Sequence, residues 1–226
     1  MAPRVAVVVF PGTNCEHDVA QALERAGAAP VLVWHGEERL DGVDAVVLPG
    51  GFSYGDYLRA GALARFSPVM SAVGRFAQEG GPVVGICNGF QVLTESGLLP
   101  GALVKNRGLR FVCKPVAVRV ESAASVLTVG VDPGTELVVP VNHFVGCYVC
   151  DDRTLAELRD EGRVVLRYLD NPNGSLDDIA GVANEAGNVV GLMPHPERAC
   201  DELLGSADGL PLLRSLVASA VAERAA

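Results

Sequence analysis

Hydrophobic residues in the first half of the chain form short, nearly continuous runs that alternate with stretches of helical periodicity. The runs predict strands at residues 4–10, 30–34, 44–51 and 81–87. The periodic stretches predict helices at 15–27, 58–81 and 88–97, and PGTN at 11–14 is predicted to be a turn and helix cap. Strands that are apolar throughout, with helices between them, predict a parallel sheet covered on both faces.

The pattern changes after Gly101, where strand-like runs follow one another with short turns between them. These runs lie at 110–122, 125–130, 136–141, 146–151, 163–170, 178–185 and 188–194. A short helix at 154–162, a turn-rich loop at 170–178 and an amphipathic helix at 211–225 complete the chain. We expect antiparallel β elements that extend or decorate the sheet. No internal repeat or long linker divides the sequence, so residues 1–226 predict one α/β domain with an open, mostly parallel sheet.

Composition and charge narrow the classes of function. The chain has 226 residues, of which 49% are hydrophobic and 20% charged, so a globular domain with a sizeable core is expected. The formal net charge of -9 disfavours general binding to nucleic acids or anionic membranes. A small molecule or a protein partner is favoured instead.

The apolar runs and the cysteines indicate a cellular setting. No run reaches the roughly 20 residues that span a bilayer, and the start of the chain is predicted to be a strand and turn, not a signal peptide. A cytoplasmic location and reduced thiols are therefore expected for the six cysteines. Cys147 and Cys150 form a C-x-x-C motif without a second ligand pair, so no metal site is predicted.

The stretch GICNG at 85–89 places Cys87 between a buried strand and a helix. Small residues on both sides of a nucleophile are typical of the sharp turn that presents it at the sheet edge. A helix N-terminus favours negative charge, and the amide of Asn88 points to where an oxyanion would form. The alternative is that Cys87 is a small buried hydrophobic residue.

A thiol nucleophile needs a base and a group that orients the base. Of the four histidines, His17 and His35 are predicted to lie on the surface, and His143 lies within PVNHFVG. His195 directly follows a buried strand, and Pro194 and Pro196 are expected to hold the chain extended, so that Glu197 points the same way. Read alone, this stretch is also compatible with a rigid surface turn.

A third strand ends in Gly50 and Gly51, whose backbone amides can approach a ligand closely. Gly51 is therefore a candidate for the second half of an oxyanion hole with Asn88. Gly50 is a candidate contact to the substrate. An ordinary turn is the alternative for this pair.

Taken together, PGG, GICNGFQ and PHPE resemble the class I glutamine amidotransferase family. Its nucleophile motif matches Cys87, Gly89 and Gln91, and its base and orienting acid match His195 and Glu197. The resemblance implies a flavodoxin-like glutaminase fold, glutamine as substrate, and Gln91 as a substrate contact.

The segments 10–18, 50–65 and 105–111 resemble a narrower family, the small glutaminase subunits of phosphoribosylformylglycinamidine synthases. That resemblance implies that the ammonia passes to a large synthetase subunit, with a third small subunit in the complex. The synthetase would convert formylglycinamide ribonucleotide to the amidine in purine (IMP) biosynthesis. ATP and Mg would be used by that partner, and no cofactor is expected on this chain.

Two features depart from the family pattern, and alternatives remain for the roles of three residues and for the function. Val145 occupies a position where the family usually carries an acid, which puts a polar role there in doubt, and the CYVC stretch is unexpected. Tyr54, Arg59 and Arg107 are candidates for substrate or partner contact, or are plain surface residues. Two other functions remain as alternatives: a free-standing γ-glutamyl hydrolase or peptidase, and a non-enzymatic thiol sensor or chaperone.

Overall fold

The computed structural model describes residues 2–223. Its strands are β1 (Arg4–Val9), β2 (Ala29–Trp34), β3 (Ala45–Leu48), β4 (Val83–Ile86), β5 (Ala102–Lys105), β6 (Val112–Val120), β7 (Glu136–His143), β8 (Val145–Val149), β9 (Val164–Tyr168), β10 (Ile179–Ala183) and β11 (Val189–Leu192). Its α-helices are α1 (Glu16–Ala26), α2 (Pro68–Gln78), α3 (Asn88–Glu95), α4 (Asp152–Asp160) and α5 (Leu210–Glu223).

Five parallel strands form one half of the main sheet, in the order β2-β1-β3-β4-β11. Every residue of β3, β4 and β11 is buried, as expected for strands covered by helices. Helix α1 contacts β1 and β2, whereas α3 contacts β4 and β11. The predicted parallel sheet is confirmed, and the carboxyl ends of β3, β4 and β11 meet at one edge.

Four antiparallel strands extend the sheet beyond β11, in the order β10-β9-β6-β7. A second, two-stranded sheet pairs β5 with β8. The predicted antiparallel elements are thus confirmed, although β5 was not predicted. Strand β7 is the last strand of the main sheet, and its carboxyl-terminal end returns toward the ends of the parallel strands.

The helix predicted at 58–81 is wrong for its first part, because α2 begins only at Pro68. Residues 58–66 form turns and a short 3-10 segment, and Leu58 has a positive φ of 67° that no α-helix accommodates. Pro68 lies in the first turn of α2, where the missing N–H costs nothing. Apolar periodicity alone did not reveal this boundary.

The strand predicted at 125–130 is also wrong. Hydrogen bonds from the amides of Thr128 and Val129 to the Ser125 carbonyl close tight turns there, and the Ser125 and Thr128 hydroxyls lie 2.7 Å apart. Local side-chain bonding of this kind competes with strand formation.

The ends of two helices were predicted with different success. Helix α1 has Cys15 as its N-cap without a side-chain cap bond, so PGTN supplies the turn but not the cap. Its predicted end at Gly27 is confirmed, with a φ of 98°. The predicted helix at 211–225 corresponds to α5, and residues 224 and 225 lie outside the described residues.

Two findings bear on the cellular setting. All six cysteines are free thiols, as predicted. Across residues 2–223, none of the helices combines the length and the apolar character needed to cross a membrane.

Candidate active site

Cys87 lies on a sharp turn between β4 and α3, as the sequence predicts. Its φ of 52° is unusual for a residue with a side chain and places it in the strained geometry of a nucleophile elbow. The following Gly89 is required by packing, because a Cβ there would lie 1.9 Å from the Leu48 carbonyl oxygen of β3. The elbow is therefore held tightly against the neighbouring strand.

The Cys87 thiol is buried and faces the end of β7. Its Sγ lies 3.8 Å from the carbonyl oxygen of Asn142, and only 5% of the residue is exposed. The amide of Gln91 donates to the Cys87 carbonyl, which begins helix α3. The amino-terminal end of α3, which carries the positive end of the helix dipole, therefore lies at Cys87.

His195 and Glu197 form a tight, buried pair next to this thiol. The His195 Nδ1 donates to Glu197 Oε1 over 2.7 Å, and the His195 amide donates to the Pro140 carbonyl over 2.8 Å. Neither residue is more than 4% exposed. The other ring nitrogen, Nε2, is buried and has no hydrogen-bond partner among the described residues, so it is free to exchange a proton with Cys87 or a substrate.

The charges of the site set the protonation of His195. Burial alone lowers the pKa of this imidazole, but the Glu197 carboxylate and the Cys87 sulfur outweigh burial and raise the pKa well above its ordinary value. Glu197 therefore does two things: it fixes the tautomer and it stabilises the imidazolium. This is the arrangement that a cysteine nucleophile and its proton donor require.

The segment that carries the pair is a turn and not the extended stretch predicted. Pro196–Arg198 is a short 3-10 segment, closed by a hydrogen bond of 3.1 Å from the Arg198 amide to the His195 carbonyl. Pro196 occupies the first position of this turn, which its fixed φ favours. The turn brings Glu197 back to the ring, so the predicted pairing is present although its predicted backbone is wrong.

His143 is a second buried histidine, for which no role was predicted. Asn106 donates through Nδ2 to the carbonyls of Arg110 and His143, both at 3.0 Å, so its Oδ1 is the acceptor that faces His143 Nδ1 at 3.1 Å. His143 Nδ1 must therefore carry the proton. Burial, followed by the nearby His195, lowers the pKa of His143 to about 4, so the ring is neutral.

The two oxyanion candidates follow neighbouring strands, Gly51 after β3 and Asn88 after β4. The Asn88 amide is in the first turn of α3, where the helix offers it no partner. The Gly51 amide donates to no acceptor within the described part of the chain. The Asn88 side chain accepts from the Ser53 amide at 3.1 Å, which ties the two segments together. Their roles stay a prediction.

The two candidate substrate contacts are engaged inside the protein. A Cβ at Gly50 would lie 2.7 Å from His195 Cε1 and 3.1 Å from the Cys15 sulfur, so the Gly50 backbone packs directly on the imidazole. Gln91 accepts from Asn88 Nδ2 at 2.8 Å and donates to the Val145 carbonyl. A direct contact of either residue with substrate stays a prediction.

The remaining candidates make contacts within the protein. The Tyr54 hydroxyl bonds to His35 Nδ1 at 3.0 Å and to Ser67, so His35 is half-buried and not a plain surface residue as predicted. Arg59 forms a two-point ion pair with Glu95 at the end of α3. Arg107 donates to the Gly174 carbonyl at 3.4 Å.

The two cysteines of the C-x-x-C motif lie in β8 and just after it. Cys147 lies in β8 opposite Val104, and burial raises the pKa of its thiol. Burial likewise raises the pKa of Cys150. Neither belongs to a group of three or more metal-ligating side chains within residues 2–223.

Comparison with known proteins identifies relatives over nearly the whole chain. Residues 2–208 match the family described as the CobB/CobQ-like glutamine amidotransferase domain. A protein of Rubrobacter xylanophilus named phosphoribosylformylglycinamidine synthase subunit PurQ is 64% identical over 96% of this chain and 99% of its own. A protein of the same name from Thermus thermophilus is 58% identical, covering 95% of this chain and 97% of its own.

A solved structure has a similar fold over nearly the whole chain. A chain in the structure of PurLQS from Thermotoga maritima has a TM-score of 0.89 and 45% sequence identity to this chain. The match covers 96% of this chain and 99% of the other.

Proposed function

The chain belongs to the CobB/CobQ-like glutamine amidotransferase family, and we propose that it is the glutaminase subunit of a phosphoribosylformylglycinamidine synthase. The observation that carries this proposal is the buried group of Cys87, His195 and Glu197 at the strand ends. It occurs in a chain that shares 64% identity with a named PurQ subunit over nearly its full length.

The proposed reaction begins with attack of the Cys87 thiolate on the side-chain amide carbon of glutamine. The C–S bond forms as the carbonyl becomes an oxyanion, and in this proposal the amides of Gly51 and Asn88 hold it. The His195 imidazolium then gives its Nε2 proton to the amide nitrogen, so the C–N bond breaks and ammonia leaves. A γ-glutamyl thioester on Cys87 remains.

Water completes the cycle. His195, now neutral, takes a proton from water as the oxygen attacks the thioester carbon. The C–S bond breaks, glutamate leaves, and the thiolate and imidazolium are restored. Glu197 accepts the 2.7 Å hydrogen bond from Nδ1 throughout and so holds the ring in one orientation.

The ammonia is used by a partner in this proposal. The sequence contains no Walker-type phosphate loop, so we assign ATP and Mg to the large synthetase subunit and no cofactor to this chain. The PurLQS assembly from Thermotoga maritima supports a complex with a large subunit and a third small one. We further propose that residues 1–226 act as one amidotransferase domain in the cytoplasm.

The test is glutamate release from glutamine by this chain and by Cys87→Ala. Both are assayed with the large synthetase subunit, ATP and formylglycinamide ribonucleotide present. We expect turnover that depends on the partner and is lost in the variant. Turnover that ignores the partner would indicate a free-standing hydrolase, and no turnover in an assembled complex would leave Cys87 without a catalytic role.

A further inference from the structure

A second thiol, Cys15, lies on the side of the His195 ring that faces Gly50. A Cβ built on Gly50 would lie 3.1 Å from the Cys15 sulfur, 2.7 Å from His195 Cε1 and 3.4 Å from His195 Nδ1. Cys15 is 2% exposed, and its amide donates to the Gly50 carbonyl at 3.2 Å. The reaction proposed above gives this thiol no task.

Cys15, His195 and Glu197 together offer a thiolate, an imidazole and a carboxylate, which are the ligands that Zn²⁺ takes in proteins. One donor atom from each lies within 4.8 Å of the others, and all three residues are buried. Ligands around a tetrahedral zinc ion are separated by roughly 3.3–3.8 Å, so only a small closing movement is needed. Glu197 Oε2 is buried and has no hydrogen-bond partner among the described residues, so it is free to coordinate a cation.

The surrounding charges and space suit a cation with a thiolate ligand. Arg198 donates to the Cys15 sulfur at 3.2 Å, and its own charge is offset by Asp18 at 3.3 Å. Asp18, Gln21, Glu197 and Arg198 line a cavity of about 340 Å³ beside this group. With one thiolate and one carboxylate, the two ligand charges balance a divalent ion.

We infer that Cys15, His195 and Glu197 form a binding site for Zn²⁺ or a similar divalent transition-metal ion, and that occupation of this site inhibits the glutaminase. The ion takes the place of the proton that Nδ1 now donates to Glu197. That proton and the proton of the Cys15 thiol are released to solvent, Nε2 keeps the proton that it already carries in the imidazolium, and no electrons are transferred. An imidazole protonated at Nε2 and held by the metal cannot accept a proton from water or from Cys87.

The binding claim is tested with Co²⁺, whose thiolate complexes absorb in the near ultraviolet. The wild-type chain, Cys15→Ser, Cys87→Ser and Cys200→Ser are titrated without substrate or partner. We expect the thiolate-to-cobalt band in the wild type, in Cys87→Ser and in Cys200→Ser. Cys200 is the matched control, because it is buried near the same turn and bonds to the Pro196 carbonyl at 3.1 Å, yet lies outside the ligand group.

We expect Cys15→Ser to lack the thiolate-to-cobalt band. Its affinity for Zn²⁺, measured by competition with a chromophoric chelator, should be ~100-fold or more weaker than that of the wild type. Cys15→Ala replaces this variant if the serine chain folds poorly. No band in the wild type, a band that survives without Cys15, or a band lost in Cys87→Ser would each overturn the site.

Inhibition rests on the proposed function and is measured separately. Glutamate release by the assembled complex is titrated with Zn²⁺, each variant being compared with its own activity in chelator. We expect Cys15→Ser to need at least ~10-fold more Zn²⁺ for half inhibition, whereas Cys200→Ser follows the wild type. Equal sensitivity of both variants would refute inhibition through this site even if the cobalt band is present.

Discussion

Two buried histidines lie near each other but have opposite electrostatic environments. His195, after β11, donates to a carboxylate, and its pKa is raised well above the ordinary value even though it is buried. His143, at the end of β7, donates to the neutral amide oxygen of Asn106, and its pKa is lowered to about 4. One ring is therefore an imidazolium at neutral pH and the other is a neutral imidazole.

The difference shows that the groups around the ring, and not burial alone, decide which histidine can donate a proton. Both rings are at most 3% exposed, and both leave Nε2 without a hydrogen-bond partner among the described residues. A carboxylate compensates for the loss of water around a cation, whereas an amide does not. In the proposed reaction, His195 and not His143 therefore protonates the leaving ammonia.

The largest expected effect separates the two histidines directly. His195→Gln removes the proton donor, so kcat for glutamate release should fall by ~10³–10⁴-fold. The matched His143→Gln removes a neutral ring outside the proton path and should keep kcat within about tenfold. Both are measured in the assembled complex, and similar losses in the two variants would contradict the assignment.

Glu197→Gln makes the environment of His195 resemble that of His143. The amide cannot stabilise the imidazolium, so the pKa of His195 should fall and kcat/KM at neutral pH should drop by ~100- to 1,000-fold. Because the protonated ring is the active form, activity is lost as pH rises through the His195 pKa. The alkaline limb of the pH profile should therefore move to lower pH, and an unmoved limb would argue against the role of Glu197.

Gly50→Ala displaces His195 without changing any charge. The new Cβ would be 2.7 Å from His195 Cε1, so the ring must shift, and kcat should fall by ~100-fold. Gly74→Ala is the control, because a Cβ there meets nothing within 4 Å and alanine is favoured inside α2. An active Gly50→Ala enzyme would show that the ring has more freedom than its packing indicates.

The smallest effect concerns stability and His143 alone. Between pH 6.5 and about 4 the unfolded chain binds a proton that the folded His143 does not, so folding stability should fall on acidification in this window. From pH 7 to pH 4.5 the loss is about 2–3 kcal/mol. Urea unfolding measures this loss in the wild type and in His143→Phe. Over the same pH range, the free energy of unfolding of His143→Phe should fall by about 2–3 kcal/mol less than that of the wild type, because the other acid-sensitive groups are common to both chains. Equal losses would mean that His143 titrates normally.

The parts of the fold and site that the sequence predicts are those that depend on local pattern. Buried strands, the elbow at Cys87 and the residues that follow β11 were read from apolar runs and turn residues. The start of α2 was not predicted, because the positive φ of Leu58 and the turns around it depend on contacts with the rest of the fold.

The environments of the side chains could not be predicted because they depend on residues far apart in sequence. Asn106 and His143 are separated by 37 positions, and their bond fixes a tautomer that no local motif encodes. Cys15 reaches Arg198 across 183 positions, so its place beside His195 appears only in the fold. Asn106 does lie within the 105–111 motif, which was the only sequence signal for this network.

The most direct test of the central claim is to trap the covalent intermediate. The assembled complex is mixed with glutamine in the presence of ATP and formylglycinamide ribonucleotide, quenched in acid during turnover, digested and analysed by mass spectrometry. We predict a γ-glutamyl adduct on the peptide that contains Cys87, and none in Cys87→Ala. An adduct on another cysteine, such as Cys15, or turnover that persists in Cys87→Ala would contradict the account.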